Sequence, residues 1–277
     1  MFDATVSEGV LRLRRPGTRW LSTGWAGGRS RGDAAYNVSV PEGFDRTDLA
    51  AYRDDRLARA GFGGKASNRD ADHDDDRDAT ADRADRADRA DRAAPPTLFT
   101  GVAMEHARGA RRGPVVAYAT AGLSNPATLL MAPGDDATTE AVRTTAADPS
   151  PSADAAESPS HRPGTVNLIV GTTRRLAPGA AANLVAVAAE AKAATLLATA
   201  GVPGTTSDAV VVADDPAGDL ASFSGSATPV GAAARVCVRD AVRASLRSRY
   251  PDDEFPGPPA DAEHGVVADG RAEVFHP

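Results

Sequence analysis

The chain has 277 residues, 42% of them hydrophobic, with 38 acids against 31 bases and a net charge of −7. Its length suffices for one large domain, and the lone Cys237 excludes a disulfide framework, a cysteine-rich zinc site and a Cys-x-x-Cys redox pair. With no apolar leader in MFDATVSEGVLRLRR and no run of about 18 apolar residues, the expectation is a soluble, cytoplasmic protein with no membrane partner.

The N-terminal third reads as strands at 9–14 (GVLRLR), 18–25 (TRWLSTGW) and 34–40 (AAYNVSV). A helix follows over 46–60, with Leu49, Tyr52 and Leu57 on a helical spacing behind Asp45 as the cap. Residues 65–96 then hold ten acids and seven bases, including four consecutive Ala-Asp-Arg triplets at 81–92. A three-residue period keeps no helix face apolar, so this segment reads as a disordered insertion. Being acidic and free of aromatics, it gives no support to a nucleic-acid partner.

Strands are expected again at 98–104 and 114–120, and Ser124-Asn125-Pro126 reads as a helix start, with Asn as cap and Pro at the first helical position. Residues 133–163, rich in Pro, Ser and Asp, form the second disordered insertion. Beyond it lie a strand at 165–170 (TVNLIV), a long helix at 178–200 between Pro178 and Gly201, a strand at 208–213 and a helix at 231–249. The tail 251–277 holds seven acids and one base. The reading is a single α+β domain, a mixed β-sheet packed by helices, with a body of 1–64, 97–132 and 164–250. The acidity sits in the two insertions and the tail, and the remaining 187 residues carry a net charge of +6.

Elimination narrows the chemistry. Of the five histidines only His106 falls in the body, so a three-ligand zinc site is not expected, nor a Ser-His-Asp triad unless His106 is its base. No GxxxxGK[ST] loop and no strand-to-helix GxGxxG is present, so no nucleotide cofactor is expected. Cys237 reads as a small core residue. Among 31 basic residues only Lys65 and Lys192 are lysines, and this lysine-poor, Asp-rich and Ala-rich composition suggests a GC-rich genome and adaptation to high salt.

The helix 178–200 carries two charges, Glu190 and Lys192, so it is expected to be packed on most sides. At about 100° per residue the two point some 200° apart. Each either takes part in chemistry or forms a structural ion pair with a distant partner such as Arg235 or Asp208. Asn183 shares the Glu190 face. The turn Gly204-Thr205-Thr206-Ser207-Asp208 offers three hydroxyls and a carboxylate at a strand edge, to a ligand or simply as a strand-capping turn. Asn167 stands mid-strand, where its amide needs partners.

These segments together resemble the adenosylcobinamide amidohydrolase family of archaeal corrinoid salvage. The resemblance lies in GTVNLIVGTTRRLAP (164–178), Glu190-Ala-Lys192, GTTSDAVVVA (204–213) and FSGSATPVG (223–231), with WLSTGWAGG (20–28), Asn37 and ATAGLSNPA (119–127). Thr206 stands where a glycine is expected and Ala227 where many relatives carry a histidine. The resemblance implies hydrolysis of the amide joining a corrin propionyl side chain to 1-amino-2-propanol. The corrinoid would then be a small-molecule substrate and not a cofactor, with no metal-site residues named and any metal bound through carboxylates not legible. Glu190 would be the general acid/base, oriented by Asn183 or Asn167, with Asn167 or the 204–207 backbone amides as oxyanion donors. Lys192 would pair with Asp208 and position the turn, and Thr205 or Ser207 offers a covalent route. Asn167, Asn183, Asn37, Ser22 and Asn125 would bind substrate. A non-catalytic corrinoid-binding protein, an amidase for another substrate and an interaction protein working through the acidic insertions are the alternatives. Oligomeric state is not legible.

Overall fold

A computed structural model describes residues 2–63, 94–131, 165–251, 255, 265–268 and 270–276. Both insertion readings fall on residues outside these, apart from 94–96.

The fold is α+β, built on an eight-stranded mixed sheet. Its strands are β1 (Asp3–Ser7), β2 (Val10–Ser22), β3 (Gly28–Ser39), β4 (Thr97–Thr100), β5 (Arg108–Arg112), β6 (Val115–Ala121), β8 (Val166–Thr172) and β11 (Ala209–Asp214), in the order β4-β3-β2-β11-β8-β6-β5. β1 pairs with the first half of β2, on residues Val10 to Arg14. Two pairs within the sheet are parallel, β3 with β4 and β8 with β11. Smaller sheets join β7 (Pro126–Leu129) to β10 (Gly204–Thr205) and β13 (Val266–Ala268), and β9 (Arg175–Leu176) to β12 (Leu220–Ala221).

Among the described residues, three α-helices pack on this frame: α1 (Leu49–Arg59), α2 (Pro178–Ala200) and α3 (Pro229–Arg249). β8 runs into α2 and α2 into β11, so α2 is the crossover that a parallel strand pair requires. Pro178 opens it, and Gly201 closes it in the left-handed conformation at φ 71°. Thr228 caps α3 by accepting from the Gly231 backbone N–H at 3.1 Å. Val166, Leu168 and Val170 of β8 bury one face against α2 and α3, and Ile169 turns the other way, toward Leu13, Trp20, Leu98 and Val211. This alternation is the two-residue period of a strand covered on both sides.

The sheet is strongly coiled. Three strands separate β3 from β6, which would put them about 19 Å apart in a flat sheet. Yet Asn37 of β3 donates through Nδ2 to Thr120 Oγ1 of β6 at 2.9 Å. The edge strand β4 accordingly comes round to β8, where Asn167 Nδ2 donates to the Phe99 carbonyl at 2.9 Å.

Several expectations need correction. Asn125-Pro126 opens β7 and not a helix, because Ala127 and its neighbours pair with Gly204–Thr205 on one side and Val266–Ala268 on the other. That second pairing also turns part of the expected tail into a strand. The stretches 9–14 and 18–25 are one strand, β2, irregular between Arg14 and Thr18, and β1 and β5 carried too little apolar alternation to be read. Nor is α2 covered on most sides, since Ala182, Asn183, Ala186, Glu190, Ala194, Leu197 and Ala198 are exposed. By length and apolarity alone α2 would suffice to cross a membrane, but Leu184, Val187, Ala188 and Leu196 are core residues of this fold.

Candidate active site

Coiling gathers polar residues at one end of the sheet, where β3, β4 and β6 finish and β8 and β11 begin. Asn37 accepts at Oδ1 from Asn167 Nδ2 at 3.1 Å while donating to Thr120. Both asparagines and the threonine are buried. Asn167 Nδ2 therefore gives its two hydrogens to Phe99 and Asn37, which leaves Oδ1 as its open atom. Among the described residues, Asn167 Oδ1 and Asn125 Oδ1 are buried oxygens with no hydrogen-bond partner. Buried acceptors are normally satisfied, so both are places for a donor from outside the chain. Asn167 meets the Phe99 backbone only, and the half-buried Phe99 ring packs on the α1 side with those of Trp25 at 5.9 Å and Phe44 at 6.3 Å.

The turn leading into β11 closes the same end. Asp208 accepts from Lys192 Nζ and from the Thr205 hydroxyl, from Val166 N at 2.8 Å and from Thr205 N at 3.1 Å. Four donors occupy both carboxylate oxygens, so Asp208 ties β8, β11 and α2 together. Lys192 and Asp208 have only 12% exposed side chains. A Cβ on Gly204 would lie 2.7 Å from Asp208 Oδ2 and 3.0 Å from Lys192 Nζ, so only glycine lets the backbone pass beside the pair. Thr205 is buried, and Ser207 is exposed with its hydroxyl 2.9 Å from that of Thr165. Thr206 donates its N–H to the Asn125 carbonyl at 3.1 Å, which brings Asn125 to the turn. Ser22 lies close by, its hydroxyl accepting from Gly24 N at 3.1 Å.

The other two expected residues lie elsewhere. Glu190 is 62% exposed and pairs with Arg235 at 3.1 Å. The two helical faces thus separate it from Lys192, and it makes no hydrogen bond to the turn or to Asn167. Asn183, near the start of α2, donates to Ser224 Oγ at 3.1 Å, and Ser224 donates to the Ala180 carbonyl at 2.6 Å. Both distant ion pairs weighed from the sequence, with Arg235 and with Asp208, are present.

The expected site thus divides into a polar end holding Lys192, Asp208, Thr205, Ser207, Asn167, Asn37, Asn125 and Ser22, and a helix surface holding Glu190 and Asn183. A model of the family described as adenosylcobinamide amidohydrolase matches residues 65–254. The chain is also 52% identical over all 277 residues, covering 100% of both sequences, to a Halobacterium salinarum protein named adenosylcobinamide amidohydrolase. The chain belongs to the adenosylcobinamide amidohydrolase family. The family model begins at residue 65, so Asn37 and Trp25 lie outside its span and inside that of the full-length relative.

Two residues of this candidate site, Thr120 and Thr165, were not assigned to it from the sequence. Thr120 stands in β6 and Thr165 just before β8, both ordinary β-formers, and only the coiling that brings Asn37 across gives Thr120 its partner. His106 lies against α3, its Nδ1 3.1 Å from Ser248 Oγ, and burial first, then the Arg249 and Arg108 guanidiniums, hold its pKa below the usual histidine value against an opposing Glu105. Burial raises the Cys237 thiol pKa, as befits a core residue. Among the described residues no cluster of three His, Cys, Asp or Glu side chains could hold a metal ion.

Proposed function

We propose that this chain hydrolyses the amide between the corrin propionyl side chain and 1-amino-2-propanol in adenosylcobinamide. The products are adenosylcobyric acid and aminopropanol, and the acid re-enters coenzyme B12 synthesis. The observation that carries this reading is the full-length identity with a relative named for that activity. The polar end supports it chemically. Its two open carbonyl oxygens, on Asn125 and Asn167, suit the amide N–H groups of such a substrate.

Water adds to the substrate carbonyl, and the oxyanion and the departing nitrogen then need a cation and a proton. The placement of Glu190 favours neither role for it, and the two hydrogens of Asn167 are already donated. We assign both tasks to Lys192, the one lysine among the described residues. Its ammonium steadies the oxyanion and protonates nitrogen as the C–N bond breaks, recovering a proton from the added water. Asp208 and Gly204 hold that ammonium at the turn. In a covalent route the exposed Ser207 would be the nucleophile in preference to the buried Thr205, whose hydroxyl is held by Asp208.

Mass analysis of products from purified protein and adenosylcobinamide in high salt tests the reading. Stoichiometric aminopropanol and adenosylcobyric acid are expected, and a folded protein that releases neither refutes it. Lys192→Met should lower turnover by about 10²–10³-fold, as loss of an oxyanion-stabilising group does. Undiminished turnover in that variant removes Lys192 from the chemistry, and undiminished turnover in Ser207→Ala removes the covalent route.

A further inference from the structure

On the far side of α2 from the sheet, α2 and α3 part to leave a groove of about 580 Å³. Ala191, Ala194, Thr195, Ala198 and Thr199 form its α2 wall, and Ala232, Arg235, Val236, Arg239 and Arg243 its α3 wall, with Ser226 at the start. The arginines recur every fourth residue, so all three stand in one row on α3. Arg235 is engaged by Glu190 and Arg239 by its neighbour Asp240, whereas Arg243 has no ion pair among the described residues. The floor is methyl groups and the rim is guanidinium. The stretch from Ala191 to Thr199 runs about 12 Å along the helix, and the volume is within the usual range of about 300–1,000 Å³ for small-molecule sites.

We infer that this groove binds the carboxylate-bearing product of the proposed reaction. The inference rests on the proposed hydrolysis. At the cleaved arm the substrate is an uncharged amide and the product a carboxylate, and this is the change that a row of guanidiniums distinguishes. A carboxylate gains from Arg239 and Arg243 an ion pair and bidentate hydrogen bonds that the uncharged amide cannot match. The methyl-lined floor accommodates the arm's methylenes and the apolar corrin rim. Product held here is remote from Lys192 and leaves the polar end open to substrate.

The experiment has two arms, each using the full chain and the double variant Arg239→Gln/Arg243→Gln, whose exposed changes leave the core intact. Equilibrium dialysis with adenosylcobyric acid should show two molecules bound per chain for the wild type, one of them lost or weakened at least about tenfold in the variant, as removal of a charge-assisted hydrogen bond predicts. Adenosylcobinamide should bind the two proteins alike. In the kinetic arm, the variant should keep the wild-type kcat and KM for adenosylcobinamide, because the groove is separate from the polar end. Equal binding of the acid by both proteins overturns the inference, as does butyrate displacing the acid at equal concentration, which would mark an unselective anion site. Absence of aminopropanol release refutes the hydrolysis and this inference with it. Release with an arginine-independent acid site refutes the groove alone.

Discussion

Lys192 and Glu190 are two residues apart on one helix and lie in opposite surroundings. Lys192 is enclosed with Asp208 where three elements meet, and every atom of the carboxylate partner is used. Glu190 reaches across to Arg235 at the surface, its side chain 62% exposed. The first pair carries a large desolvation cost and repays it with several hydrogen bonds, so removing one partner leaves an uncompensated buried charge. The second is the kind of surface ion pair that contributes little. Identical charge chemistry therefore predicts very different consequences on the two sides of α2.

The widest separation should come from Asp208→Ala, which strands Lys192 and frees the Val166 and Thr205 N–H groups. A loss of about 3–5 kcal/mol in chemical denaturation is expected, with activity lost alongside. A loss under about 1 kcal/mol would show that water already serves the buried pair as well as Asp208 does. Gly204→Ala probes the same corner more gently. Its methyl must displace Asp208 or Lys192, at about 1–3 kcal/mol, and kcat should fall more steeply than the affinity for substrate. On the opposite face, Glu190→Gln should change stability by no more than about 0.5 kcal/mol and leave turnover near wild type. A large drop in kcat there would reverse the assignment and return Glu190 to the chemistry. The smallest effect concerns His106. Because its folded pKa is depressed, the unfolded chain binds the proton more readily, so stability is full above the ordinary histidine value near 6.5 and declines as pH falls through it. An NMR titration of the His106 ring should give a midpoint below that value, and a midpoint above it would contradict the dominance of burial.

How much of this was legible in the sequence depends on range. The ends of α2 were written locally, in Pro178 and in Gly201 with its positive φ. Lys192 stood out because the composition almost excludes lysine, and its pairing with Asp208 was one of two simple options. The outward turn of Glu190 was not legible, because alanine covers both the buried and exposed faces of α2 and gives no amphipathic signal. Asn125-Pro126 shows the same limit from another direction. A dipeptide that locally favours a helix start was overruled by pairing with segments roughly eighty and one hundred and forty positions away, and such partners leave no short-range mark. The Asn37–Thr120 contact is of this kind as well, since it exists only once the sheet has coiled.

β7 has a practical consequence for anyone handling the protein. It carries the chain directly from Asn125 and is flanked on one side by Val266–Ala268, close to the C-terminus. Trimming the chain before residue 265, or forcing a bulky fusion against that stretch, strips one neighbour from β7 and bares its edge to other molecules. Preparations cut this way should show disturbed substrate recognition and a tendency to self-associate, even though every residue of the Lys192 cluster remains.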